Sequence, residues 1–230
     1  MRLLELDQQL QHAEHAFGTI SEGEKTSVDT DDMIRSYTEV LGPIAHMRQV
    51  HGSRIVYTNE AGCIEEADAI YTDNPDLWLA VKTADCVPVL ISTPHAVAVA
   101  HCGWRGLEAE ILPQTIKTLM DEYNITAVVV FIHIGPCISQ NKYEVEEDKY
   151  KALFDEKHFK PAGKKGFVLM DLVGIAIDQA REMGVPKNHI VDSGLCTYQD
   201  KDLFHSYRRN KQEGVDGYNV QCSLVKRFEG

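Results

Sequence analysis

Six short runs of β-branched, aromatic and small apolar residues crowd the stretch from 54 to 134. They are "RIVYT", "ADAIYT", "LWLAV", "VPVLI", "AVAVA" and "AVVVFIHI". Runs of this length, separated by turn residues and without helical spacing, predict short strands. They come in close succession, before helices begin to alternate with strands. The pattern therefore predicts an α/β or α+β fold with a mixed sheet, and argues against a doubly wound parallel one.

The helical spacings lie around these runs. "TDDMIRSYTEVLG" has Thr30 or Asp31 as its cap, Gly42 as its stop, and apolar residues at 33, 34, 37, 40 and 41 on one face. After Gly106 the spacing of Leu107, Ile111, Leu112, Ile116, Leu119 and Met120 predicts a helix that Pro113 must kink or start late. Two more helices are expected near "VEEDKYKALFDE" and "DLVGIAIDQAREMG", the second stopped by Gly184. With no repeat, linker or low-complexity run, residues 1–230 read as one domain.

"VPVLI" and "AVAVA" are joined by "STPH", in which Pro94 presets a turn. A turn centred between Thr93 and Pro94 would set Ile91 against Ala96, Val87 against Ala100, and Cys86 against His101. Opposed residues have Cβ atoms about 4.5–5.5 Å apart, close enough for one metal ion to bridge sulfur and imidazole nitrogen. A slip of one residue would send the two side chains to opposite faces. A lone cysteine or histidine in a strand is usually inert. This pair sits at one hairpin end, beside Asp85 and the loop "GWRG". His51, in "MRQVHGSRIV", is the best candidate for a third ligand, whereas His133 lies in an apolar run and reads as a core residue.

The formal net charge of −12 argues against a nucleic-acid partner, which requires a basic stripe to neutralise phosphates. The six cysteines form no CxxC pair, and the first fifteen residues contain no apolar signal segment. No run is long enough to span a membrane. A reducing, cytoplasmic setting is expected, with no membrane partner.

Five motifs occur in order: "QVHG", "TADCVPVL", "HCGWRG", "GPCIS" followed by "YEV", and "FHSYRR". Together they resemble the laccase-domain family, also called the polyphenol oxidase or purine nucleoside phosphorylase family of single-domain proteins, from about His15 to the end. The resemblance implies one zinc ion held by His51, Cys86 and His101. It also implies mixed sheets between helices, a fold shared with cytotoxic necrotizing factor toxins. The implied activities are phosphorolysis of adenosine, inosine, guanosine and methylthioadenosine, with deamination of adenosine as a further one, and the implied partners are the nucleoside and phosphate. Two segments depart from the family pattern: "DDMIRSY" stands where Asn-Arg is usual, and Gly217-Tyr218-Asn219 stands where Thr-Gly-Arg is usual.

A Cys-His-His set leaves one coordination position open, the arrangement of a catalytic zinc. Deamination would also need a proton-carrying carboxylate, for which Asp85 is the candidate. Its other reading is a strand-end cap, or a carboxylate that orients one of the histidines. Phosphorolysis needs a grip on phosphate, and Arg48, Arg105 and Arg208 are candidates for it. For Arg209 a surface ion pair is the simpler reading. Trp104 and Tyr207 could stack on a purine, while Cys102 and Cys137 read as bystanders.

Three other readings stay open. One is a copper-dependent polyphenol oxidase, since Met47 and Gln49 lie near enough to complete a His₂Cys copper centre. The second is a metal-free enzyme with Cys86 as nucleophile and His101 as base. The third is a binding module stabilised by zinc. The oligomeric state is not legible.

Overall fold

A computed structural model of the chain describes residues 2–4, 10–20, 30–217 and 219–228. The chain begins with strands β1 (Arg2–Leu4) and β2 (Ala13–Thr19), then helix α1 (Thr30–Leu41). Five short strands follow: β3 (Ile44–Met47), β4 (Ile55–Tyr57), β5 (Gly62–Ile64), β6 (Ala69–Thr72) and β7 (Trp78–Thr83). The hairpin β8 (Val87–Ser92) and β9 (Val97–Cys102) leads into α2 (Trp104–Glu108) and α3 (Ile111–Tyr123). Next come β10 (Phe131–Ile134), β11 (Glu144–Glu146), α4 (Glu147–Lys151), β12 (Phe159–Pro161) and β13 (Phe167–Met170). The last elements are α5 (Leu172–Glu182), β14 (Ile190–Asp192), α6 (Tyr207–Glu213) and β15 (Gln221–Arg227).

Two six-stranded sheets form the body, in the orders β1-β2-β15-β7-β3-β5 and β14-β10-β8-β9-β6-β4, with a small sheet β11-β13-β12 beside them. Both large sheets are mixed. In the first, β3 pairs in parallel with β5 and β7 while β15 is antiparallel to β2 and β7. In the second, β4 runs parallel to β6 and β14 parallel to β10, around an antiparallel centre.

The strands explain their own apolar runs. Leu90, Val97 and Val99 point between the sheets, where they meet Phe17, Met47, Leu79 and Val81. Their neighbours Val89, Ile91, Ala98 and Ala100 point the other way, against Ile111, Ile116 and Ile175 of α3 and α5. On the outer face of the first sheet, Ile34 and Tyr37 of α1 cover Ile44, Trp78 and Leu224. The result is two mixed sheets flanked by helices, which is the architecture expected from the sequence.

Three local expectations change. Val40 of the α1 stripe is exposed, so the covered face of that helix is narrower than its spacing implies. The helix expected after Gly106 is two helices, because Glu110 takes a left-handed conformation (φ 57°) between them. Pro113 then falls in the first turn of α3, where its missing N–H is not needed. Only residues 147–151 of "VEEDKYKALFDE" are helical, since Glu144–Glu146 is drawn into a strand by β13.

The fold buries neutral imidazoles. Burial and the nearby Lys82 ammonium lower the pKa of His46 to about 4, and burial beside His15 lowers that of His133 to about 3. Among the described residues neither ring nitrogen of His133 has a hydrogen-bond partner, so it is a core histidine but not a satisfied one. The unfolded chain takes up these protons near pH 6.5 and the folded chain does not. Stability is therefore full above that value and is lost as pH falls toward about 4 and then 3. Urea unfolding near pH 7 and near pH 4.5 should show a clearly lower midpoint at the acid value. An unchanged midpoint would contradict neutral burial.

Candidate metal centre

The β8–β9 hairpin turns one residue later along the chain than the sequence suggests, which moves every cross-strand partner by two. Val87 pairs with Cys102, Pro88 with His101 and Ile91 with Ala98. Thr93 caps the loop by hydrogen bonds with Ala96, so the turn centres between Pro94 and His95 rather than one residue earlier. Cys86 is therefore diagonal to His101, not opposite it. A shift of two preserves the side of the sheet, so both side chains still point toward the intersheet space. The position opposite Cys86 belongs to Gly103. A Cβ there would lie 3.0 Å from Cys86 Sγ and 3.3 Å from His51 Cδ2, so the glycine leaves the space between the two side chains open.

His51 arrives from the loop between β3 and β4, in a left-handed conformation with φ 59°. Its ring meets that of His101 edge to face, with centroids 4.7 Å apart. One donor atom each from His51, Cys86 and His101 lies within 4.8 Å of the others. His51 is exposed, Cys86 partly covered and His101 buried, so the trio opens to solvent on the His51 side. No second cluster of three such side chains occurs among the described residues.

Cys86 and His101 favour each other's charged forms. Burial opposes a charge on Cys86, but the His101 imidazolium and hydrogen bonds from His101 and His51 outweigh it and hold the thiol at about 6. Burial likewise opposes a proton on His101, and the Cys86 thiolate with Asp68 outweighs that and raises its pKa to about 9. The neighbouring Cys102 and Cys137 thiols are pushed up by burial. Thiolate and imidazole donors at this spacing fit zinc, and a His₂Cys set is also within the range of copper.

The residue that sequence reasoning missed is Asp68. It lies just before β6, directly across from His101, whose backbone N–H donates to its carbonyl (2.7 Å). Its buried carboxylate accepts from His101 Nδ1 at 2.8 Å and from the backbone N–H groups of Val50, His51 and Gly52. The only signal in the sequence was an acidic residue inside the apolar run "ADAIYT". It gains meaning once the pairing of that run with "AVAVA" is known.

A family model described as "Multi-copper polyphenol oxidoreductase laccase" matches residues 17–223. The chain belongs to this family. It is 34% identical over 176 residues to a purine nucleoside phosphorylase of Haemophilus influenzae, covering 73% of this chain and 70% of that protein. It is 36% identical over 177 residues to the purine nucleoside phosphorylase YfiH of Escherichia coli, covering 73% and 69%. Among solved structures, the Neisseria meningitidis protein NMB0706 superposes with a TM-score of 0.80 over 99% of both chains at 27% identity. YlmD from Geobacillus stearothermophilus superposes at 0.84, over 96% of this chain and 93% of that one. At 24% identity that likeness speaks for the fold alone.

Within this laccase-family fold the other candidates fall into two groups. Asp85 sits at the strand end before Cys86 with φ 94°, and its buried carboxylate accepts from Thr197 Oγ1, Ser206 Oγ and the Arg208 backbone N–H. It thus ties the cysteine turn to the start of α6, and the carboxylate that orients His101 is Asp68 instead. Arg208 reaches from α6 to the Glu144 carbonyl and lies 5.1 Å over the ring of Tyr143. Tyr207, beside it, is half exposed.

Arg48 points away to pair with the exposed Glu65 (2.8 Å). Arg105 lies over the ring of Trp104, which packs edge-on against Tyr150. Arg209 is no surface ion pair. Its guanidinium donates to the carbonyls of Thr197, Tyr198 and Phe204 and pins the chain ahead of α6. Of the two segments that depart from the family pattern, "DDMIRSY" falls in α1 and Tyr218 lies outside the described residues.

Proposed function

We propose that the chain is a zinc-dependent purine nucleoside phosphorylase. The observation that carries the reading is the convergence of His51, Cys86 and His101, with one face open to solvent, in a chain of this family. The names of the relatives from Haemophilus influenzae and Escherichia coli support the substrate class. In the reaction a phosphate oxygen forms a bond to the anomeric carbon of the ribose while the bond from that carbon to the purine nitrogen breaks. The base leaves with the electron pair and takes up a proton, giving free base and ribose 1-phosphate.

His51, Cys86 and His101 would hold the zinc ion, which when bound would supply a Lewis acid. Arg208 is the arginine we assign to phosphate, supported by its position in the α6 start that Asp85 ties to the cysteine turn. Tyr207, half exposed, offers ring surface to a purine, and Trp104 would do so only once Arg105 leaves its ring. Arg48, in an exposed pair with Glu65, and Arg105, over the Trp104 ring, would have to leave those partners to take part in phosphate binding. Adenosine, inosine, guanosine and methylthioadenosine are the expected substrates. Deamination of adenosine would need a proton carrier other than Asp85, whose carboxylate is already committed to three donors. The acidic balance of the chain keeps nucleic acid out of the account.

A second reading draws on the sequence Asp68, His101, Cys86, in which a carboxylate, an imidazole and a lowered thiol follow one another as in a metal-free cysteine enzyme. It leaves His51 with no more than a hydrogen bond to the thiolate. The discriminating experiment incubates the protein with inosine or adenosine, with and without phosphate and with and without a zinc chelator. Free base and ribose 1-phosphate that depend on both phosphate and metal support the proposal. Base release or deamination that ignores the chelator supports the metal-free enzyme, and phenol oxidation that requires added copper supports an oxidase. No helix among the described residues is long and apolar enough to cross a membrane, and a cytoplasmic setting remains part of the proposal.

A further inference from the structure

We infer that Asp68 is the positioning residue that assembles the trio, one carboxylate fixing the His51 loop and the His101 ring together. The inference rests on the reading of His51, Cys86 and His101 as metal ligands. Asp68 is fully buried, yet its donors include neither lysine nor arginine. Oδ1 accepts from the His51 N–H at 2.9 Å and from His101 Nδ1 at 2.8 Å. Oδ2 accepts from the N–H groups of Gly52 at 2.7 Å and Val50 at 3.2 Å. Burying a carboxylate is costly unless its lone pairs are used, and here four donors converge on two oxygens.

Each half of this arrangement has a consequence for the trio. An ionised carboxylate only accepts, so Nδ1 of His101 must carry a proton. Nε2 is thereby left as the nitrogen available to a metal beside Cys86. The other half concerns His51, an exposed, non-glycine residue in a left-handed conformation that L side chains rarely adopt. Three consecutive N–H groups turned onto Asp68 hold that loop bent and bring the ring of His51 against His101. The cross-strand position of Asp68 opposite His101 explains how one residue can serve both.

Asp68→Asn separates this role from simple packing, because an amide of the same shape has one accepting oxygen. With that oxygen toward the loop, the amide N–H₂ faces His101. Nδ1 must then accept, and the proton moves to Nε2, where it blocks the metal. With the oxygen toward His101, the His51 N–H keeps its acceptor, but the N–H₂ opposes the N–H groups of Val50 and Gly52 and loosens the loop on either side of His51. The variant should weaken zinc binding by about 10–100-fold in competition with a chromophoric chelator. It should alter the visible d–d bands of the cobalt(II) protein while keeping the thiolate charge-transfer band. In the metal-free protein, amide exchange at residues 50–52 should quicken by about 10-fold or more.

A folded Asp68→Asn protein with wild-type zinc affinity, cobalt spectrum and exchange would overturn the inference. Should wild-type protein take up neither metal while the variant still quickens exchange, the metal reading fails and the anchoring stands. The wild type also carries its own test, which survives if the variant cannot fold. ¹⁵N NMR should show Nδ1 of His101 protonated, and an unprotonated Nδ1 would refute the role of Asp68.

Discussion

Cys86→Ala is expected to lower zinc affinity by more than about 100-fold, beyond the usual range for a change outside the ligand shell, and to abolish base release from inosine. Cys86 is the one anionic donor of the trio, and two neutral imidazoles hold zinc far less well than a thiolate with two imidazoles. Its side chain lies against Gly103, so alanine leaves a small gap but no clash. The fold should survive, because Cys86 is only partly covered and contributes little to either core. Loss of the thiolate also removes the largest influence that raises the pKa of His101. That imidazole should therefore titrate at a lower pH in the variant. Circular dichroism, chelator competition and product analysis on one preparation check the fold, the affinity and the turnover, and an NMR titration of His101 checks the fourth part. Wild-type turnover in Cys86→Ala would contradict the role given to this residue.

The second large effect is expected at Asp85, and it is an effect on stability. Replacement by alanine leaves Thr197 Oγ1, Ser206 Oγ and the Arg208 N–H without their shared acceptor. Hydrogen bonds to a charged group contribute about 1.5–3 kcal/mol each and do not add fully, so a loss of about 3–5 kcal/mol is expected. Alanine is also a poorer occupant than aspartate of a position with φ 94°. Asp85→Asn, which keeps one accepting oxygen, should cost about half as much. Urea unfolding measures both. A carboxylate that served as proton carrier would behave differently, since asparagine would then leave stability intact and remove turnover alone. That outcome would return Asp85 to the chemistry.

The layers of the fold were legible because their strands are buried on both faces and read as unbroken apolar runs. The hairpin was legible too, although its register was not. Turn position depends on how Thr93 bonds across the loop to Ala96, a local choice that Pro94 alone does not dictate. The error was two residues, an even number, so Cys86 and His101 kept their common face. An odd error would have separated them.

Less legible was whatever depends on pairing between distant segments. β2 and β15 close the first sheet from the two ends of the chain, and neither "AEHAFGT" nor "QCSLVKR" announces a strand strongly. Asp68 acquires its role only when β6 is laid beside β9, and Arg209 only when the loop from Thr197 to Phe204 wraps around its guanidinium. The trio itself combines both kinds of information. Two members come from one hairpin, while the third needs the loop after β3 to be folded back onto Asp68.

The most direct measurement titrates zinc into metal-stripped protein while following ribose 1-phosphate formed from inosine and phosphate. The account predicts no turnover in the stripped protein and a rise that levels off at one zinc per chain, with no rise in Cys86→Ala. Turnover that is complete before zinc is added, or that climbs equally in the variant, would contradict it.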